Sequence, residues 1–198
     1  FTIKKKIAEG PRSGVYAAKK DDADFTLRTL KWSATMDPSA ARRFVTHQRY
    51  LAKVAHENLP KNVEAGIIGG IPYNAYTALN DGQSLAARIT RTGALHINEA
   101  KPIIKSILGA IQALHGARVL HGGIKLENVI MARNAQGASQ AYLVDGGTEK
   151  LFGRSALAHP SGVRGLSPEV ARGKIPGVES NLFAFGTLLF EILAGKPP

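Results

Sequence analysis

Along the first eighty residues, apolar positions fall in short β-type runs separated by turns; beyond them they recur at helical spacing. Residues 3–9, 15–19 and 24–30 read as three strands joined by Gly/Pro- and Asp-rich turns. Residues 38–56 place Phe44, Leu51 and Val54 on one helical face, and strand-like runs follow at 63–68 and 73–79. After Asn80-Asp81-Gly82 the pattern turns helical. Asn98 has the chemistry of a helix N-cap, and Ile103, Ile104, Ile107, Leu108, Ile111 and Leu114 form a broad apolar stripe ending near His115. Two short β-type runs, 129–132 and 141–144, flank a polar turn at 134–140, and a Gly- and Pro-rich loop-like stretch covers 146–177. The apolar stretch 181–195 contains Glu191 and falls short of the ~20 residues a bilayer span needs, so it is expected as a buried core helix. The pattern predicts an α+β chain, with a β-rich part holding one helix followed by a helical part. A ligand cleft is expected at their junction.

Composition narrows the classes. With 198 residues, 44% hydrophobic and 21% charged, the chain suits one substantial core or two small lobes, and excludes disorder, collagen and coiled coil. There are no cysteines, which removes disulfides, thiolate metal sites and cysteine nucleophiles and fits a reducing compartment. The opening residues, Phe1 to Lys6, lack the apolar run and cleavage site of a signal peptide. A cytoplasmic location is expected, with any membrane tether outside this stretch. The net charge of +11 comes from 26 basic and 15 acidic residues. Such a surface attracts phosphate-rich partners, but the basic residues are spread along the chain and no nucleic-acid motif accompanies them. A well-solvated surface is the expectation, and nucleic acid is not expected as a partner. Docking to an anionic surface, lipid or nucleic acid, remains an alternative.

Five short signals stand in one order. Residues 8–15, Ala-Glu-Gly-Pro-Arg-Ser-Gly-Val, fit G-x-G-x-x-G-x-V with the first and third glycines replaced; Phe25-Thr26-Leu27-Arg28 stands where V-A-I-K would. Residues 121–128, His-Gly-Gly-Ile-Lys-Leu-Glu-Asn, fit H-R-D-x-K-x-x-N without its aspartate, Asp145-Gly146-Gly147 replaces D-F-G, and Ser167-Pro168-Glu169 replaces A-P-E. Each fragment alone is weak, but the ordered set resembles the protein-kinase family across residues 1–198, its bacterial Ser/Thr branch above all. The resemblance implies a bilobal fold: a β-rich N-lobe with one helix over 1–79, and a helical C-lobe over 80–198. Further C-lobe helices would come after the one at 181–195, so that lobe is truncated, and the arginine that usually pairs with Glu169 would lie there.

The resemblance also assigns roles. Gly10 is the one signature glycine kept where backbone N–H groups approach phosphates; Pro11 removes a donor and Arg12 adds a bulky cation. A plain hairpin turn is the competing reading. Val15, Thr77 and Leu79 fall on the adenine pocket, Thr77 as gatekeeper and Ala78-Leu79 as hinge, with Thr26 in the pocket roof; all would serve equally as strand core. Arg28 replaces the phosphate-binding lysine with a planar fork on a longer side chain. The helix glutamate that would pair with it falls on His47, so the usual ion pair is absent. Gly123 stands where the aspartate accepts the substrate hydroxyl's proton, a loss worth ~10²–10⁴ in rate. Glu127, the nearest carboxylate in sequence, faces away in the family. No catalytic residue is therefore assigned. Asn128 and Asp145, the metal-ligand positions, keep hard oxygen donors suited to Mg²⁺, and Lys125 keeps the position that contacts the transferred phosphate. These either bind ATP and Mg²⁺ or hold the loop through hydrogen bonds. His121 is read as a core histidine, and Asn181 takes the place of a helix aspartate that anchors the catalytic loop.

Together these replacements imply a pseudokinase acting as a protein-interaction or signalling scaffold, able to bind ATP without efficient phosphoryl transfer. The alternative is a weakly active, atypical Ser/Thr kinase. A protein partner is implied. Thr148, Ser155 and Ser161, with Arg154 and Arg164 nearby, are candidate phosphorylation positions through which a phosphopeptide-reader domain could dock.

Overall fold

Strand β1 (Thr2–Glu9), β2 (Ser13–Lys20), β3 (Ala23–Leu30), β4 (Asn62–Ile68) and β5 (Ile71–Thr77) form an antiparallel sheet in the order β1-β2-β3-β5-β4. The computed structural model describes residues 1–10, 13–31, 38–79, 81–147 and 165–198. Pro11, Arg12, Thr148, Arg154, Ser155, Ser161 and Arg164 lie outside the described residues. The chain divides into two units, one of residues 1–55 with 60–79, the other of 56–59 with 80–198.

In the first unit, helix α1 (Pro38–Leu51) packs on β4 and β5 and buries Ala40, Ala41, Phe44, Val45 and Leu51. Ala18, Leu27, Tyr73 and Ala75 join across the sheet, with Tyr16 against them. The helix ends at Leu51 and does not run to residue 56 as the periodicity predicts. The amides of Ala52, Lys53 and Val54 turn back to the carbonyls of Gln48, Tyr50 and Leu51, closing the last turns. β1 is exposed along its whole length, with two register irregularities against β2. Lysines at positions 4, 5 and 6 blunt this edge against further strand pairing. Between β4 and β5, the Tyr73 hydroxyl donates to Glu64 at 2.5 Å, and Lys20 pairs with the same carboxylate at 2.8 Å. Burial, with that hydrogen bond, pushes the Tyr73 phenol up to about 12.

The second unit opens with β6 (Gln83–Ser84) and α2 (Leu85–Thr92), followed by α3 (Ile97–Gly116), a 3₁₀ turn (Leu126–Asn128), β7 (Val129–Arg133), β8 (Ser139–Leu143), α4 (Pro168–Ala171) and α5 (Val178–Ala194). β6, β7 and β8 form a small antiparallel sheet. Its core joins Leu85 and Ile89 of α2, Ile103, Ile107 and Ile111 of α3, and Leu188 and Ile192 of α5. Two expectations are corrected here. The N-cap of α3 is His96, whose Nδ1 accepts the Asn98 amide, so Asn98 lies inside the first turn. And α5 is only half covered: Ala184, Leu188 and Ile192 are buried, but Leu182, Phe183, Phe190 and Leu193 are exposed. No helix among the described residues is long and apolar enough to cross a membrane.

Residues 56–59 are built into this second unit. Asn58, buried, donates from Nδ2 to the Ala141 carbonyl at 2.9 Å, and its own carbonyl accepts from Leu143 at 2.9 Å. His56 Nδ1 accepts the Asn58 amide, and the His56 ring lies so close to Gly109 of α3 that a Cβ there would sit 3.2 Å from it.

Candidate functional site

In the first unit, Val15, Arg28 and Thr77 lie on strands of the sheet, with Gly10 and Leu79 just beyond strand ends. The Gly10 amide donates to the Ser13 carbonyl at 2.9 Å, which closes the β1–β2 turn. Behind it the Tyr16 side chain lies over Gly14, where a Cβ would approach the hydroxyl to 2.6 Å and the ring to 2.8 Å. Val15 is half-buried and registers with Arg28 on β3, which in turn faces Asn74 on β5. Arg28 is itself buried, as are Thr26 on β3 and Gln48 on α1; His47, next to Gln48, is half-buried. No negative charge is available from His47 or Gln48, so the ion pair that would fix a lysine at this strand position has no counterpart at those helix positions. Thr77 ends β5, its amide donating to Lys61 at 3.0 Å, and Leu79 follows it half-buried.

In the second unit, Lys125 precedes the 3₁₀ turn in extended conformation (φ −163°), and the Asn128 amide closes that turn onto the Lys125 carbonyl at 3.0 Å. Asn128 is buried, and its Nδ2 donates to the Gly123 carbonyl at 2.7 Å. With its nitrogen so engaged, the amide's oxygen is the end that can meet a cation. Asp145 follows β8 in the left-handed region (φ 64°), a conformation that non-glycine residues rarely adopt. Its neighbours are fixed: the Val144 amide donates to Asn128 at 2.9 Å, and the Gly147 amide to the His121 carbonyl at 2.6 Å. The loop 121–128 and the segment 144–147 are thus tied together on both sides of Asp145. Gly123 is buried between them, and a Cβ added to it would meet Asn128 Nδ2 and the Asp145 carbonyl, both at 3.3 Å. Glu127 is exposed. The pair Asn128 and Asp145 fits a hard divalent cation by donor chemistry. Among the described residues no cluster of three or more His, Cys, Asp or Glu adds a competing metal centre.

The loop is anchored from α5. The Gly122 amide, in a residue at φ 59°, donates to Asn181 Oδ1 at 3.2 Å, and Asn181 Nδ2 meets His115 Nε2 at 2.9 Å. Asn181 therefore does hold the loop, as its position implies. His115 is the part sequence reasoning missed, because 66 residues separate it from Asn181 and no local pattern marks it. Burial pushes its imidazole below the ordinary value, opposed by Glu179. Glu169 has a local partner: the hydroxyls of Ser167 and Ser180 hold its carboxyl below the usual range. Of the two, Ser180 makes the hydrogen bond, at 2.6 Å, and it also accepts the Gly177 amide at the start of α5.

The protein kinase domain family's model matches residues 1–198. The chain is 28% identical over 204 residues to the serine/threonine-protein kinase PrkC of Bacillus subtilis, covering 100% of this chain and 31% of that protein. It is 28% identical over 207 residues to the probable serine/threonine-protein kinase PknB of Lactococcus lactis, covering 32% of it. The chain therefore spans about a third of the length of these relatives. Among solved structures, the Mycobacterium tuberculosis PknI kinase domain superposes with a TM-score of 0.78 at 18% identity, over 100% of this chain and 75% of that one. A C20A_R136N double mutant of that domain gives 0.81 at 19%. These likenesses show the protein-kinase fold.

Proposed function

Because the chain belongs to the protein kinase domain family, with Ser/Thr kinases among its relatives, we propose that it is a pseudokinase: a signalling scaffold that binds ATP with Mg²⁺ and transfers phosphate poorly or not at all. The observation that carries this reading is Gly123. At the position of the proton-accepting aspartate there is no side chain, and a Cβ there would be crowded by Asn128 Nδ2 and the Asp145 carbonyl, both at 3.3 Å. Arg28 and His47 remove a second, separate part of the machinery, and independent losses multiply in rate.

What survives supports ligand binding. Asn128 and Asp145 would hold the cation, which when bound would neutralise phosphate charge. Lys125 would face the terminal phosphate. On the first unit, Gly10, Val15, Arg28, Thr77 and Leu79 are the proposed nucleotide positions. Hydrogen bonds to the Gly123 and Asn128 carbonyls hold the loop beside these positions, which supports the assignment.

The test is a thermal titration with ATP, with and without Mg²⁺, beside a γ-phosphate transfer assay. Saturating nucleotide at a hundred times its Kd stabilises by ~2.7 kcal/mol, and the Mg²⁺-dependent part should vanish in Asp145→Asn. Transfer should stay at background. Metal-dependent turnover that disappears in Asp145→Ala would sink the pseudokinase reading and establish the weakly active kinase instead.

A further inference from the structure

Helix α1 carries a local group of cations on its exposed side. Its exposed positions are Arg42, Arg43, Thr46, Arg49 and Tyr50, and Lys53 extends the row in the turn that continues the helix. Arg42, Thr46 and Arg49 have the spacing i, i+4, i+7, which places them on one face, and Lys53 is exposed in the turn just past the helix. Arg42 and Arg49 lie two turns apart, about 10.5 Å along the axis. Arg43 and Tyr50 form a parallel row, also seven residues apart. The helix contains no aspartate or glutamate. Among the described residues no carboxylate pairs with Arg42, Arg49 or Lys53. Arg43 hydrogen-bonds the Ser39 hydroxyl, and Lys53 Nζ stands over the Tyr50 ring at 5.5 Å from its centre. Tyr50 is 53% exposed, a large aromatic beside the cationic stripe.

We infer that this face of α1 is a docking surface for an acidic segment of a partner protein, helical, with carboxylates at matching seven-residue spacing. Three features favour that occupant. An interfacial membrane helix needs its apolar face for lipid, but here Phe44, Val45 and Leu51 are spent on the core of the first unit. Arginine predominates over lysine, and its guanidinium fork recognises carboxylates bidentately. Tyrosine flanked by arginine is the composition of a protein-interface anchor, with the ring supplying the apolar contact that a purely electrostatic nucleic-acid groove does not require. The inference deepens the scaffold reading, and rests on it, by naming the partner's chemistry and the surface that meets it.

The experiment uses the whole chain and a fluorescein-labelled, alanine-based helical peptide with glutamates at i, i+7 and i+11. A control peptide carries the same glutamates scrambled around the helix. Duplex DNA and phosphatidylserine vesicles are run alongside, read by anisotropy and by co-sedimentation. The patterned peptide should bind at least tenfold tighter than the scrambled one. R42E/R49E should weaken it by tenfold or more, and Tyr50→Ala by severalfold, with the circular dichroism spectrum unchanged. If R42E/R49E fails to fold, R42Q/K53Q carries the same comparison with a smaller loss. Equal binding of the two peptides, retention of affinity in the charge variants, or tighter binding to DNA or vesicles overturns the inference. Phosphoryl transfer is measured separately on the unmodified chain. No preference of the unmodified chain for the patterned peptide, with transfer still at background, condemns the docking surface and leaves the pseudokinase standing; patterned binding beside metal-dependent transfer does the reverse.

Discussion

Asn181 accepts the Gly122 amide through Oδ1, which turns its Nδ2 toward His115 and requires an unprotonated Nε2 there. The proton of neutral His115 therefore sits on Nδ1. Because the folded chain holds the His115 pKa below its ordinary value, folding releases protons from that ring. The linked stability is complete above the unfolded value of ~6.5 and is lost as pH falls through the folded one. Replacing Asn181 by a carboxylate reverses the preference: Asn181→Asp should raise the His115 midpoint by about one unit or more, followed by NMR titration of the ring. A midpoint that stays or falls would refute the contact between the two side chains. Gly123→Asp tests the neighbouring loop. It restores a carboxylate but crowds Asn128 Nδ2 and the Asp145 carbonyl at 3.3 Å, so it should cost about 1 kcal/mol or more in thermal stability. Transfer should remain at background, since Arg28 and His47 are unchanged.

Elements were more legible than their ends. β-type runs marked all five strands of the first sheet within a few residues, because the turns between them hold Gly, Pro or Asp, and this held even for β1, which buries no residue. The α3 stripe was equally plain. The cap at His96 was not, since a histidine gives no capping signal until its Nδ1 is seen facing the Asn98 amide. Helix α2, eight residues with only Leu85 and Ile89 buried, was too short to register as a periodicity. In α5 the run of apolar residues predicted complete burial, whereas the fold covers one side and leaves Leu182 and Phe190 exposed; an all-round apolar pattern cannot say which side. The C-terminus of α5 offers a clean test. Gly195 caps it in the left-handed region at φ 70°, and a Cβ there would lie 2.8 Å from the Ala94 backbone nitrogen. Gly195→Ala should destabilise by about 1–3 kcal/mol in chemical denaturation. An unchanged midpoint would mean the cap relaxes freely.

For the whole molecule, the ordered motifs disclosed the family. Spacing could not disclose which distant groups those motifs rest on. His115 with Asn181, Ser180 with Glu169, and Asn58 with Ala141 are tertiary pairings with no trace in local pattern. Asn58→Ala removes the partner of a carbonyl in β8 and should cost about 1–3 kcal/mol, with hydrogen exchange at Leu143 and its neighbours accelerating more than in β1–β3. Uniform acceleration across both units would contradict the placement. Residues 56–59 also carry a genetic consequence. The second unit is encoded in two pieces, with 60–79 of the first between them. A recombination event with a single breakpoint near residue 80 would transplant that unit without the histidine and asparagine that brace α3 and β8. A single breakpoint at residue 56 keeps both pieces of the second unit together, and carries 60–79 of the first unit with them.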